Sequence, residues 1–454
     1  MSRTSLRFAL LCCALLGLPA ARPAPAAPTL LPDSTTVERW TLPNGLDVVT
    51  QHVPGAGAVS VTWGYRIGLD DDPADRQGLA SLLAEVAFTA SAGTVPERTH
   101  DEMESLRPEG WSLKVTRHQS LFTETATPAQ FAGVLHQAAM RMRGVTVTDA
   151  ALGRALVTVR RQLGARYFGA PDQMLHWQVR EYARGLDPAG VSTLAAAKGL
   201  DRETPRSIQE ALARAYVPAN GVLALAGDLS GVDLHAALAG EFGGIPGGVR
   251  RPDPAPVRLD SATAVLPRPE VSGPVGVVGI IAPALTDSLH PSFYLAMLFA
   301  GTRARQAWGL VDPPLTMRFQ YALLDDPELA RFYPKLGTRD PEAPEALGAR
   351  FDDLVDELFS MSITLDSYDE FRRGVLWLLG GPMNTETAAN VRRSRGALNL
   401  LCSSAASRAL WGSDAFWTEY RRRLDPTVTP AVTFWGRWLL DPRHKVRLML
   451  VPPR

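Results

Sequence analysis

The chain has 454 residues, 46% hydrophobic and 21% charged, with 47 basic and 47 acidic side chains and a formal net charge of zero. This is ordinary globular composition, long enough for two cored domains. The balanced charge argues against a nucleic-acid groove or a surface built for anionic membranes.

At the N-terminus, Arg3 and Arg7 precede an apolar run from Phe8 to Leu18, followed by small residues and prolines. That is the pattern of a secretory signal peptide, placed at residues 1–26, with cleavage after Ala21 or Ala26. The run is too short for a permanent membrane anchor. A lipoprotein reading through Cys12 or Cys13 is weaker, because the residues just before them are not small. The expected location is across the inner membrane, in the periplasm or cell envelope. The mature chain then keeps only Cys402, which excludes an intramolecular disulfide and reads as a small core residue beside Leu400 and Leu401. No later run is apolar enough for an integral membrane segment, so the mature chain is expected to be soluble.

A first domain is expected over 33–243. "TLPNGLDVVT" offers a Pro-Asn-Gly turn feeding a short strand. "VSVTWGYRIG" puts Val59, Val61, Trp63, Tyr65 and Ile67 on one face, with Ser60, Thr62, Gly64 and Arg66 on the other. "QGLASLLAEVAF" (77–88) reads as an amphipathic helix with Leu79, Leu82, Leu83 and Val86 as its buried stripe. Ser81, Ala84 and Glu85 fall opposite it. Further stripes follow at Phe131, Val134, Leu135, Ala138 and Met142, then at Leu152, Ala155, Leu156, Val159 and Leu163.

Periodicity stops in a Gly-, Pro- and Arg-rich linker, 244–258. The second domain, 259–454, repeats the first. "GPVGVVGIIAP" is again a strand, and Leu347, Phe351, Leu354 and Leu358 stripe a helix. "TPRSIQEALARAYVPANGVLALAGD" and "TPAVTFWGRWLLDPRHKVRLMLVPP" share one layout: Thr-Pro opening a helix, a proline after it, then an apolar strand. The expected fold is α+β, with two duplicated units, each an antiparallel-rich mixed sheet with helices packed mainly on one face.

Taken in order, "TLPNGLDVV", "GLDDDPADRQGLASLLAEVAF", "YVPANGVLALAGDLS" and "FGGIP" resemble the M16 metallopeptidases, the pitrilysin, insulinase and mitochondrial-processing-peptidase group. The resemblance implies a zinc site built from His-x-x-Glu-His on the opening helix and a glutamate on a later one. Aligned on that pattern, the first histidine falls on Ser81, the base on Ala84, the second histidine on Glu85 and the distal glutamate on Val159. All four are replaced. Ser and Ala are not workable zinc ligands, and one carboxylate cannot stand for three ligands and a base. Glu85 then reads as a solvated helix residue. In the family a substrate-holding Arg and Tyr sit in the second unit. Here "RQAWGLVD" keeps Arg305, Gly309 and Leu310 but has Asp312 at the tyrosine position. Arg318 and Tyr321, close by, are candidate replacements, and Arg305 alone reads equally as a surface arginine.

Elsewhere the chemistry is sparse. The eight histidines (His52, His100, His118, His136, His176, His235, His290 and His444) show no metal-ligand spacing. His136 lies off its helix stripe and reads as exposed. "DDDP" (70–73) and "RRR" (421–423) read as a solvated turn and a solvated helix face. There is no Gly-x-Ser-x-Gly elbow or phosphate loop.

The resemblance therefore implies a non-catalytic M16-like chain with no zinc cofactor, an accessory or scaffold subunit to an active M16-type peptidase acting on peptide or unfolded polypeptide. Two other readings stay open: a stand-alone peptide-binding or complex-assembly protein, and an active zinc metalloendopeptidase with a relocated site.

Overall fold

The computed structural model describes residues 36–108, 110–186, 197–252, 257–306, 315–336, 344–360, 365–383, 385–425 and 432–453. The signal peptide expected over 1–26 lies outside them. The first sheet has strands β1 (Thr36–Thr41), β2 (Asp47–His52), β3 (Val59–Tyr65), β4 (Trp111–Val115), β5 (Ser120–Ala126) and β6 (Gly221–Gly227). The second has β7 (Ala262–Pro267), β8 (Val275–Ile281), β9 (Leu315–Gln320), β10 (Leu329–Leu336) and β11 (Lys445–Val451). The helices of the first half are α1 (Leu79–Thr89), α2 (His100–Leu106), α3 (Phe131–Arg143), α4 (Asp149–Phe168), α5 (Pro171–Ala183), α6 (Pro205–Ala215) and α7 (Leu234–Phe242). Those of the second are α8 (His290–Gln306), α9 (Pro344–Ser360), α10 (Leu365–Leu376), α11 (Thr385–Arg393), α12 (Arg395–Trp411), α13 (Asp414–Arg422) and α14 (Val432–Leu440).

The sheets run β1-β2-β6-β3-β5-β4 and β7-β11-β8-β10-β9. In the first, β6 lies parallel to β2 and antiparallel to β3. In the second, β11 lies parallel to β7 and antiparallel to β8. The two orders match strand for strand except for the extra β1. The duplicated layout seen in sequence explains this. Thr204 caps α6 through its side chain, Pro205 opens the helix and Pro218 precedes β6. In the second copy, α14 and Pro442 precede β11, which takes the equivalent interior place; Thr429 and Pro430 lie outside the described residues.

Each sheet buries one face against helices of its own half. Val59, Val61, Trp63 and Tyr65 of β3 pack with Phe88, Leu135, Val159, Ile208 and Phe242. Val278, Ile280 and Phe332 pack with Phe293, Phe351, Leu354 and Trp435. The expected α+β architecture of two units is thus the observed one. The remaining faces are closed by an exchange of helices between the halves. The apolar side of α12, with Leu398, Cys402, Ala405 and Ala406, lies on Val49, Val222, Ala224 and Ala226 of the first sheet. In return α5, with Met174, Leu175 and Val179, lies on Val277, Val446 and Leu448 of the second.

That exchange explains why β3 is buried along its whole length. On its second face the hydroxyls pair with one another, Thr62 with Thr123 at 2.9 Å and Thr125 with Ser60 at 2.9 Å. Cys402 is buried, as the sequence suggested, and its thiol donates to the carbonyls of Ser60 (3.3 Å) and Ala224 (3.2 Å). Small residues on α12 allow this approach. A Cβ at Gly64 would stand only 2.5 Å from Leu121 Cδ2, so that strand position has no room for a side chain. The far end of α12 is held by Arg66, which donates to the carbonyls of Leu410 and Ala409 (both 3.3 Å), cations meeting the negative end of the helix.

Candidate functional site

Helix α1 starts on Gly78, whose φ of +95° places it in the left-handed region. A Cβ there would stand 2.9 Å from Leu163 Cδ1. The free N–H groups of the first turn are met from a distance: Asp72 accepts from Gly78 (2.6 Å) and Ala80 (2.7 Å). Burial pushes the Asp72 carboxyl up to about 6, against the pull of those two N–H groups and Arg166. The acidic run is therefore not the solvated turn expected from sequence. Asp71 pairs with Arg251 at 2.8 Å, and Asp70 enters the interior network described below. Alanine at Asp72 should lower stability by about 1–2 kcal/mol; an unchanged denaturation midpoint would show that Asp72 does not secure the helix.

From Ala80 to Phe88 every residue of α1 is buried. Ser81, Ala84 and Glu85 do lie off the leucine stripe, but neighbouring elements close over them. Ala84 and Val159 are fully buried, and Val159 sits in the same apolar cluster as Leu82, Leu163 and Leu200. The expectation for Glu85 is overturned: it is buried, with only 4% of its surface exposed. Its Oε1 lies 2.9 Å from His100 Nε2 on α2. His100 packs on Trp111 of β4 with ring centroids 5.1 Å apart, and Trp111 stacks on Phe88 at 5.6 Å. The approach is close but not aligned as a hydrogen bond, and Glu85 Oε2 is buried without a partner. No short-range spacing signals this pair, because β4 and α2 fold back over α1 only in the tertiary structure.

These residues do not fit zinc. The four positions offer one carboxylate and one hydroxyl beside two hydrocarbon side chains, where a zinc site needs three protein ligands and an open position. Among the described residues no group of three or more His, Cys, Asp or Glu side chains is arranged to hold a metal ion.

In the second half, Arg305 falls on α8, but its side chain and Gly309, Leu310 and Asp312 lie outside the described residues. Arg318 and Tyr321, the candidate replacements, make separate contacts. Arg318 pairs with Asp172 at 3.3 Å and lies over the Tyr333 ring at 4.2 Å. Tyr321 is turned inward: its hydroxyl donates to the Pro327 carbonyl (2.6 Å) and meets His290 Nε2 (3.0 Å). Of the arginine run, Arg422 and Arg423 pair with Glu419 on the surface (2.7 and 2.6 Å), whereas Arg421 donates to the Leu379 carbonyl (2.6 Å). His136 is half exposed and pairs with Glu241 at 3.1 Å.

A second polar cluster joins the halves. Arg180 of α5 is fully buried and reaches Asp70 (3.2 Å), Glu328 (3.2 Å) and Asp326. Arg331 of β10 also binds Asp326 and donates to the His176 carbonyl at 3.2 Å. Arg184 closes on Asp70 at 2.9 Å. Burial alone would push the Asp326 carboxyl up, yet Arg331 and Arg180 hold it well below the usual range. Sequence reading missed this cluster, since its members come from a helix, a strand and loops far apart in the chain.

At the level of sequence, no family model and no curated protein matches the chain. Solved structures do. A protease from Helicobacter pylori superposes with a TM-score of 0.73 at 16% identity, over 92% of this chain and 100% of that one. An inactive M16 peptidase domain from Pseudomonas fluorescens gives 0.63 at 16% identity, covering 92% and 98%. The periplasmic protease PqqL from Escherichia coli gives 0.65 at 13% identity, this chain covering 94% of its own length and 48% of that protein. The fold is that of the M16-type peptidases. Among the described residues no helix is long and apolar enough to cross a membrane.

Proposed function

We propose that this chain is a catalytically inactive M16-like subunit of the cell envelope, exported by its leader, which pairs with an active zinc peptidase and helps enclose peptide or unfolded polypeptide. The observation that carries this reading is the chemistry at the positions that the resemblance assigns to the metal: Ala84 and Val159 are hydrocarbon in a packed core, and Glu85 is buried beside His100. The surrounding scaffold is intact, so walls and substrate contacts remain available where ligands and base are absent. A clamp of this kind needs a partner interface of at least about 1,600 Å².

The purified chain is expected to carry no stoichiometric zinc and to show no peptidase activity alone. Elemental analysis finding one tightly held zinc per chain, with hydrolysis abolished by chelation, would overturn that. Co-expression with an intact M16-type peptidase of the same compartment should give co-elution and raise the partner's activity about tenfold, some 1.4 kcal/mol of barrier. If the two neither co-elute nor change that activity, the accessory role fails and a stand-alone peptide-binding role replaces it.

A further inference from the structure

The outer edge of the second sheet plays no part in the reading above. The two sheets match strand for strand, with β7 in the place of β2, but β1 covers the outer edge of β2 in antiparallel register. Among the described residues β7 pairs only with β11, and no strand covers its other edge. Its side chains alternate: Ala262, Ala264 and Leu266 pack toward α5, whereas Thr263, Val265 and Pro267 are exposed, Val265 by 42%. Helix α5 lies mainly over β8 and β11, inward of this edge.

The backbone groups on that edge form an unusual set. Successive residues of a strand turn their N–H and C=O groups to alternate sides. The Arg268 N–H donates to the Val451 carbonyl at 2.7 Å, so the even-numbered residues of β7 face β11 and the odd-numbered ones face outward. Of the outward groups, the Thr263 carbonyl already accepts from the Tyr182 hydroxyl at 2.9 Å, and Pro267 has no N–H. The Thr263 N–H, both groups of Val265 and the Pro267 carbonyl stay open.

That set is complementary to itself. With a second β7 laid antiparallel about a two-fold axis at Val265, the two valines exchange both hydrogen bonds. Each Thr263 N–H then meets the Pro267 carbonyl of the other copy. The occupied Thr263 carbonyl faces the proline nitrogen, which has nothing to donate, so no open group is left over. A slip of two residues spoils the match. In one direction the Val265 N–H is aimed at the occupied Thr263 carbonyl; in the other the Val265 carbonyl faces the proline nitrogen. A proline on an edge strand ordinarily blocks pairing, and here it blocks every register but one.

We propose that β7 pairs antiparallel with β7 of a second copy of this chain, joining two five-stranded sheets into one across a two-fold axis at Val265. The contact is isologous, one patch used twice. The exposed valines lie directly opposite as a β-branched pair. A strand pair of this length covers less than a standard interface, so the dimer is weak, with a dissociation constant on the order of 10–100 µM. The inference stands apart from the accessory role and needs no peptidase partner.

Sedimentation velocity of the full mature chain alone, from well below to well above that constant, should show a monomer passing into a dimer. Val265→Pro deletes an outward donor without touching the ladder to β11, and should weaken the dimer by at least about tenfold. Should that variant not fold, Val265→Lys keeps the backbone, sets two like charges at the axis and should do the same. Cross-linking then fixes the register. Opposed Cα atoms of a hydrogen-bonded pair lie about 5.5 Å apart, within disulfide range. Cys402 is buried and does not compete. Val265→Cys should cross-link to itself on mild oxidation, Thr263→Cys should not, and Thr263→Cys mixed with Pro267→Cys should. A chain that stays monomeric throughout overturns the proposal. So does a Val265→Pro dimer as tight as the wild type, or a Thr263→Cys chain that links to itself as readily as Val265→Cys.

Discussion

Replacing Arg180 with alanine will lower the stability of the folded chain by about 3–5 kcal/mol, the loss seen when one partner of a buried ion pair is removed. Arg180 has no exposed surface, and its guanidinium is shared by Asp70 of the first half and by Asp326 and Glu328 of the second. Without it, Asp326 keeps Arg331 and the nearby Arg117, Asp70 keeps Arg184 and Arg117, and the charge that linked the acidic groups of the two halves is lost. The change should appear as a lower urea midpoint. Pairing Arg180→Met with Asp326→Asn should recover part of the loss, because it removes charge from both sides. A single alanine variant shifted by less than about 1 kcal/mol would show that this cluster behaves like an exposed ion pair.

Acidification will also destabilise the protein, through His290. This residue opens α8 and is completely buried. Tyr321 spends its proton on the Pro327 carbonyl, so His290 Nε2–H donates to the Tyr321 oxygen (3.0 Å), and Nδ1 accepts from the Tyr420 hydroxyl (2.8 Å). That wiring requires a neutral ring with its proton on Nε2. Burial pushes its pKa down from 6.5 to about 4, against the opposing pull of the Pro327 carbonyl and Asp287. The folded-state value lies below the unfolded one, so the unfolded chain takes up the proton first as pH falls. Stability from this group is complete above about pH 6.5 and is lost progressively toward pH 4, by about 3 kcal/mol in all. Denaturant melts across that range test it. His290→Gln should start less stable at neutral pH and show a shallower decline; an equal slope in both proteins would assign the pH dependence to other groups.

Much of the fold was legible in the chain itself. The period-two pattern of β3, the helical stripes through Leu135 and Val159, and the repeated layout before β6 and β11 are local signals, and local sterics translate them directly into elements. Their duplication was enough to indicate two matching sheets. The family resemblance assigns the zinc positions to Ser81, Ala84, Glu85 and Val159, and the side-chain chemistry of those four was readable from the sequence.

Burial and partnership were another matter. Glu85 read as solvated because helical periodicity shows which side of α1 faces the sheet, but not what arrives over the other side. In the structure α2 and β4 cover it, and the His100 ring stands 2.9 Å from its carboxylate. Asp70 and Asp72 were misjudged for the same reason. The exchange of α5 and α12 between the halves, and the cluster around Arg180, bring together residues separated by long stretches of chain. No pattern along one segment encodes them. The sequence by itself determined the elements and their duplication, because those depend on residue type and near neighbours. Which charges are buried, and against whom, was decided only by packing, because desolvation and ion pairing depend on what lies across a contact in space.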